Sequence, residues 1–545
     1  MRRFAQLYQS LDATTSSRAK TDLMAEYFAV TDAADAAWAV YFLSGGKLKR
    51  IIPTQALRAY AQAQTQMPDW LFEASYQSVG DLAETITLVL PPTDCTRDDS
   101  LSNWVENVLM PLKNVPPEQR LGNLQDALAG WDSETRFVCL KLLTGGFRVG
   151  VSRLLVTRAL SQTTGLSSAL IAQRLVGYLA AQSEPDAAAY IALINADPAA
   201  VISPGQPYPF FLAQSVQGNA DDLHGELGDV SQWQLEYKYD GIRAQLVKRA
   251  GQAWLWSRGE ELISEQFPEL IQAAQALPDG VVIDGEILVW HSNSAIAAPF
   301  AELQKRLGRK QVSARVLAEH PATLMAYDLL EVQGKDLRDQ PLACRRKQLE
   351  QQITPVLGGH MRLSPLHQVI TWHDALTLQQ TARDYRTEGL MIKSLESRYG
   401  IGRTRAAGLW FKFKLEPLTI DAVLIYAQKG HGRRANLYTD YTFALWHQPD
   451  PSTPRVLVPI AKAYSGLTDE EFAQVDAIIK KSTVESFGPV RRVDPKLVFE
   501  IGFEGIMQST RHKSGVALRF PRMLRWRTDK PVEQANTLAE LKALL

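Results

Sequence analysis

The sequence predicts a multidomain chain of three successive parts: an all-α N-terminal third, an α+β middle and a small C-terminal β-barrel. Three observations predict it. Residues 1 to about 200 carry apolar side chains at three- and four-residue spacing, the period of an amphipathic helix. The prolines of Pro204-Gly205-Gln206-Pro207-Tyr208-Pro209 end that pattern, and short β-type runs alternate with helical stretches beyond them. A second break at Glu416-Pro417 is followed by runs that are mostly β-type. The expected parts are therefore 1–203, 204–415 and 416–545.

In the first part, Thr21 to Phe42 and Ser152 to Ala181 are rich in Ala, Leu and Gln and read as helical. The N-terminus, with two arginines and no apolar core, reads as the start of a helix and not as a signal peptide. Two glycine turns carry basic residues between helical patterns: Ser44-Gly45-Gly46-Lys47-Leu48-Lys49-Arg50 and Thr144-Gly145-Gly146-Phe147-Arg148-Val149-Gly150. In the middle part, strands are expected at Trp233 to Tyr237, Ala244 to Lys248, Ala253 to Ser257, Val281 to Trp290 and Thr323 to Leu329. In the last part they are expected at Ile420 to Tyr426, Thr439 to Trp446, Arg455 to Ala463 and Leu497 to Phe503, with a helix from Asp469 to Lys481. About five strands and one helix fit a closed barrel of OB type.

At 545 residues the chain is too long for one core, and 46% hydrophobic with 22% charged residues is an ordinary globular composition. A formal net charge of +0 says nothing about nucleic acid, so basic clusters must be sought locally. The cysteines Cys95, Cys139 and Cys344 are too few and too scattered for a disulfide framework or a four-cysteine zinc site, which fits a reducing cytoplasm. No apolar run reaches the length of a membrane span.

The chemistry centres on Lys238, in Lys238-Tyr239-Asp240-Gly241-Ile242-Arg243. A lysine amine attacks only when neutral, and its ordinary pKa is about 10.4. Arg243 and Lys248 add local positive charge, and desolvation or nearby cations, here Arg243 together with a divalent metal, would lower that value and free the lone pair. Gly241 lets backbone approach a ligand. Downstream, Glu286 and Glu388 are carboxylates inside apolar strands, costly to bury unless they meet a metal or a cation; a salt bridge to Arg258 or Lys412 is the alternative. Lys412 and Lys414 lie two apart on a strand and share a face, with Phe411 and Phe413 on the other. Two ammonium groups on one face suit a triphosphate.

In order, Lys238-Tyr239-Asp240-Gly241, Ser257-Arg258-Gly259-Glu260, Ile283-Asp284-Gly285-Glu286, Ala326-Tyr327-Asp328, Glu388-Gly389-Leu390-Met391-Ile392-Lys393, Trp410-Phe411-Lys412-Phe413-Lys414 and Arg519-Phe520-Pro521-Arg522 resemble the motif series of the covalent nucleotidyltransferases: DNA ligases, RNA ligases and capping enzymes. The likeness runs from Glu236 to Lys530 and implies an ATP-grasp-like α+β nucleotidyltransferase domain before an OB domain. It implies that Lys238 carries the nucleotide, that Glu236 reads the base edge, and that Tyr327, where phenylalanine is more usual, stacks on the base. It gives Arg243 and Arg258 phosphate and ribose contacts, Glu286 and Glu388 the sugar and a Mg²⁺ or Mn²⁺ ion, and Lys412 and Lys414 the phosphates. Of Arg403 and Arg405, Arg405 is the favoured further nucleotide contact. Arg519, Arg522, Arg525 and Lys530 resemble the motif that orients the pyrophosphate leaving group.

The N-terminal third separates the possibilities. Leu142 to Gln162 resembles the phosphate-gripping part of the helical DNA-binding domain of ATP-dependent DNA ligases, and Ser44 to Arg50 resembles its pseudo-repeat. The expected function is ATP-dependent sealing of nicked duplex DNA by a compact, monomeric, bacterial or archaeal type of ligase. Lys47, Arg148, Arg433 and Arg434 are its candidate DNA contacts. The alternatives are an RNA ligase, a GTP-using capping-type enzyme, or a scaffold that binds nucleic acid without catalysis.

Overall fold

The computed structural model describes the chain apart from residues 49–50, 117, 146, 148, 181–183, 197–203, 260, 308, 310–311, 357, 405–408, 431–436, 449, 451 and 489. Arg148, Arg405, Arg433 and Arg434 therefore lie outside the described residues.

Helices fill the first part, from Arg2–Asp12 to Ala187–Leu193. Both long helical stretches expected from the sequence are pairs of helices. Ser17–Val30 and Ala33–Leu43 are separated because the Asp32 side chain accepts from the Ala34 and Asp35 N–H groups and starts a new helix. Arg153–Thr164 and Ser168–Ala180 are separated because Gly165 takes a left-handed conformation (φ 73°) that caps the first. Apolar periodicity runs through both junctions, so only the caps betray them. One core holds the helices together, with Trp38, Trp104 and Trp131 fully buried; truncating any of them to alanine would cost about 3–5 kcal/mol.

The two glycine turns meet at one end of this core. Phe147 stacks on Phe4 with ring centroids 5.5 Å apart and lies 6.2 Å from Phe42. Arg153 Nε donates to the Ser44 carbonyl across 3.1 Å, and the buried Lys20 ammonium donates to the Val149 and Gly150 carbonyls. The turns are thus locked side by side, with Lys47 exposed at the edge.

The middle part consists of two mainly antiparallel sheets. One has four strands, in the order Gln214–Ser215, Trp410–Lys414, Thr387–Ser394, Trp233–Tyr239. The other has six, built on Gln252–Ser257, Ile242–Arg249, Val281–Val289 and Ala322–Val332. The chain passes from the first sheet to the second at Asp240-Gly241. A Cβ on Gly241 would stand 2.3 Å from the Ile287 carbonyl oxygen, so only glycine fits where the two sheets come together.

Among the described residues the C-terminal part has a seven-stranded sheet, more than the five or so strands expected, and a separate two-stranded ribbon, Gly505–Gln508 with Val516–Arg519. Its long strand Leu418–Lys429 pairs on one edge with Tyr438–His447; on the other it pairs first with Val498–Phe503 and then with Val490–Val493. The strands Thr483–Phe487, Val490–Val493 and Arg522–Trp526 were not expected from the sequence. They are short and lack a clean alternation of apolar and polar residues, and the last two carry arginines on both faces. The helix Asp469–Ser482 appears where expected; Thr468 and Glu471 form its capping box, and it packs Phe472, Val475 and Ile479 on the sheet. Among the described residues no helix is long and apolar enough to cross a membrane.

Candidate active site

A cavity of about 500 Å³ opens between the two sheets of the middle part, with Glu504, Arg519 and Phe520 of the C-terminal part at its mouth. Lys238 lies on its wall. The strand Trp233–Tyr239 pairs regularly with Thr387–Ser394 until Tyr237, where the register shifts; Lys238 sits in that irregularity. The extra residue is on the partner strand, where Glu388 and Gly389 together oppose Lys238, and this bulge turns the Glu388 carboxylate toward the lysine, with Oε2 2.5 Å from Lys238 Nζ. Gly389, next to Glu388, has φ 128°, and a Cβ there would stand 2.2 Å from the Phe413 carbonyl.

Lys412 and Lys414 point the same way from their strand, while Phe411 and Phe413 are buried beneath at 2% and 3% exposure. Lys414 reaches Glu388 at 3.3 Å and Glu504 at 3.1 Å. Burial lowers the Lys412 pKa from its ordinary value, and the neighbouring cations Lys414, Arg403 and Lys238 add to the effect. Burial alone would raise the Glu388 carboxyl, but Lys238, Lys414 and Arg519 outweigh it and hold the pKa below the ordinary value. The sequence alternative of a salt bridge is met at Glu388, with Lys238 and Lys414 as partners in place of Arg258 or Lys412.

Glu286 differs. Among the described residues it has no hydrogen-bond or ion-pair partner, and burial pushes its carboxyl up to about 7, with Asp284 and Glu388 adding to the rise and Lys238 and Arg243 opposing it. A carboxylate left at this cost beside Glu388 fits a hard divalent cation, which takes oxygen ligands. Among the described residues no three His, Cys, Asp or Glu side chains converge as a metal cage. Mg²⁺ does not need one, because it takes most of its shell from water and phosphate.

Some expected residues are committed elsewhere. Glu236 is 1% exposed and accepts from Lys393 Nζ and Gln234 Nε2, each at 2.7 Å. Arg243 faces the cavity but is fixed by Asp284 at 2.7 Å and the Phe211 carbonyl at 2.6 Å, with its guanidinium 5.9 Å from the Tyr327 ring centroid. Tyr327 lines the cavity with Lys393 Nζ 4.3 Å from its centroid. Arg258 is exposed at the rim. Arg403, passed over in favour of Arg405, lines the cavity.

Of the four C-terminal basic residues, Arg519 enters the cavity: it pairs with Asp240, lies 3.9 Å from Glu388 and sits over the Phe300 ring at 4.8 Å. Arg522 is 3.6 Å from Glu504. Arg525 pairs with Glu500 at 3.2 Å, and Lys530 joins Arg527 on Asp421 at 2.7 and 2.9 Å, so both brace the C-terminal sheet in this arrangement.

Sequence reasoning assigned no role to Asp284, Lys393, Asp240 or Glu504. Asp284 had a signal: two residues before Glu286 on one strand, it shares that residue's face, and it is 0% exposed beneath Arg243 and Tyr399. Glu504 had none, since its partner Lys414 is 90 residues away.

Models of known families match three segments: "DNA ligase N terminus" at residues 1–161, "ATP dependent DNA ligase domain" at 211–414 and "ATP dependent DNA ligase C terminal region" at 434–530. A "Probable DNA ligase" of Koribacter versatilis is 31% identical over 99% of this chain and 95% of its own length. The chain belongs to the ATP-dependent DNA ligase family. A "Probable DNA ligase" of Opitutus terrae is 33% identical over 92% of this chain, which spans 53% of that ligase's length. A "DNA ligase" of Thermococcus fumicolans is 27% identical over 99% of this chain and 97% of its own. The solved chain titled "Pmar-Lig_PreS3" shares the fold, with a TM-score of 0.58 at 15% identity over 96% of this ligase and 99% of that chain.

Proposed function

We infer that this ligase seals 3′-hydroxyl/5′-phosphate nicks in duplex DNA through a lysyl-AMP intermediate. Family membership supports the reaction, and the observation that carries the residue assignment is Lys238, opposite the bulge at Glu388–Gly389 in a cavity walled by Lys412, Lys414 and Arg519. Lys238 Nζ forms a bond to the α-phosphorus of ATP as the bond to the bridging oxygen breaks and pyrophosphate leaves. Glu388, 2.5 Å from Nζ, aims the amine, which attacks in its neutral form, and the proton released as the N–P bond forms passes to solvent. The AMP then passes to a DNA 5′-phosphate, and attack by the 3′-hydroxyl expels AMP and closes the strand. Each step is an in-line transfer in which positioning and charge stabilisation dominate.

In this reading Tyr327 stacks on the adenine, Glu236 and its backbone read the base edge, Arg243 and Arg258 flank the sugar and phosphate, and Lys412, Lys414 and Arg403 or Arg405 hold the phosphates. Glu286 and Glu388 would hold Mg²⁺, which when bound neutralises phosphate charge. Arg519, with Arg522, meets the departing pyrophosphate; Arg525 and Lys530 join only if the C-terminal part turns. Lys47, at the paired glycine turns, grips the DNA backbone together with Arg148, Arg433 and Arg434, which lie outside the described residues. We propose the boundaries 1–203, 204–415 and 416–545 for the three parts, with the last in the role of an OB domain.

A labelled nicked duplex offered with ATP, GTP or NAD tests the reading. Sealing with ATP and Mg²⁺ alone is expected. Covalent labelling by GTP, or joining of single-stranded RNA in preference to the duplex nick, would overturn it.

A further inference from the structure

We propose that Glu504 is an anionic stand-in for the triphosphate: it occupies Lys414 when no nucleotide is bound and thereby sets how tightly ATP and pyrophosphate are held. The proposal rests on the reading that Lys414 takes nucleotide phosphates.

Glu504 stands between the strands Val498–Phe503 and Gly505–Gln508, where the C-terminal part meets the middle one. Lys414 Nζ donates to both of its carboxylate oxygens, at 3.2 and 3.1 Å. The carboxylate lines the nucleotide cavity and also the adjoining cavity of about 370 Å³ between the two parts. On the same strand face, Lys412 has no ion-pair partner within 4 Å among the described residues, and its ammonium is destabilised by burial and by the cations around it. The face prepared for phosphate therefore has one lysine open to an anion and one whose ammonium is shared between Glu388 of its own part, at 3.3 Å, and Glu504 of the C-terminal part, at 3.1 Å.

A phosphate and a carboxylate compete for the same ammonium, because both are anionic oxygen acceptors. Once a phosphate chain bridges Lys412 and Lys414, Glu504 would face a like charge across one ammonium group. It has a second partner at hand: Arg522 lies 3.6 Å behind it, on the C-terminal part itself. Retreat toward Arg522 takes the Glu504 charge off Lys414, which keeps only Glu388, and a carboxylate on one edge of the Arg522 guanidinium leaves its other N–H groups for the pyrophosphate. The reverse move, after pyrophosphate departs, refills the seat on Lys414 and disfavours rebinding. Glu504 is thus a specificity-determining residue that trades affinity for the triphosphate against release of its product.

The test is the adenylation rate of the full-length Glu504→Gln variant as a function of ATP, with and without added inorganic pyrophosphate. Glutamine keeps the shape and removes the charge. The KM for ATP should fall about three- to tenfold, the range of roughly one exposed, charge-assisted pair. Pyrophosphate should inhibit at correspondingly lower concentration, and kcat should not rise. A carboxylate that merely strapped the C-terminal part onto the site would do the opposite, so a KM unchanged or raised overturns the proposal. Lys414→Ala in the same assay separates the two readings. If it leaves the KM for ATP unaltered, the phosphate role of Lys414 is wrong. If it weakens ATP while Glu504→Gln alone has no effect, only the present proposal fails. In the double variant the effect of Glu504→Gln should vanish, since its competitor is gone.

Discussion

Replacing Glu286 by glutamine should make the nucleotide-free protein more stable and the enzyme worse. The Glu286 carboxyl has an ordinary value of 4.5 and is pushed up to about 7 by burial. The folded state therefore holds its proton more tightly than the unfolded chain does. This favours folding below 4.5, where both states are protonated, and the benefit is lost as pH rises from 4.5 to about 7, because the unfolded carboxyl ionises first. Above 7 the loss is complete, and the gap between the two values corresponds to about 3 kcal/mol. Glutamine cannot ionise, so Glu286→Gln should gain at most about 3 kcal/mol at pH 8, less where solvent reaches this half-buried carboxyl, and under about 1 kcal/mol at pH 5. In a thermal melt without metal or nucleotide, that is a rise of roughly 5–10 °C at pH 8 that shrinks toward pH 5. Saturating Mg²⁺ and ATP should reverse the order, stabilising the wild type more, while adenylation of the variant falls at least about tenfold, the scale of one lost charged contact. Identical melts at pH 8 would show that Glu286 carries no uncompensated charge, and the argument for a metal at this carboxylate would go with it.

Other consequences are as direct. At limiting Mg²⁺ the wild-type adenylation rate should climb as pH passes through about 7, where Glu286 ionises, and the climb should be absent in Glu286→Gln; a pH–rate profile checks both. Gly241→Ala places a Cβ 2.3 Å from the Ile287 carbonyl, so adenylation should fall by about a hundredfold or more, consistent with a misplacement of roughly 1 Å at a reacting centre, while circular dichroism stays near wild type. Arg519→Ala removes the pair with Asp240 and the contact over Phe300. It should slow adenylation by about ten- to a hundredfold, yet spare the sealing of a nick that already carries AMP, where no pyrophosphate must leave.

The sequence was most informative where local pattern and chemistry coincide. The alternation of Phe411, Lys412, Phe413 and Lys414 announces a strand with an apolar and a cationic face, and both are found. The strands around Lys238, and the helix after Thr468, follow from period and capping alone. Long-range pairing was hidden. Nothing near Glu236 says that Lys393, 157 residues on, neutralises it, or that Asp284 rather than a phosphate holds the Arg243 guanidinium. The C-terminal basic cluster looked uniform, yet Arg519 reaches the cavity while Lys530 and Arg527 clamp Asp421. Which of several neighbouring arginines faces a site depends on strand twist and register, which composition does not encode. The breaks at Asp32 and Gly165 were legible in principle, as a cap before a helix and a glycine after one, but the unbroken apolar period masked them.

The assignment of Lys238 as the residue that carries AMP is tested most directly by incubating the ligase with ATP and Mg²⁺ and mapping the adenylated peptide, beside Lys238→Ala. A single acid-labile, base-stable AMP on Lys238, absent from the variant, is the predicted result. Equal labelling of the alanine variant, or AMP on another residue, would contradict it.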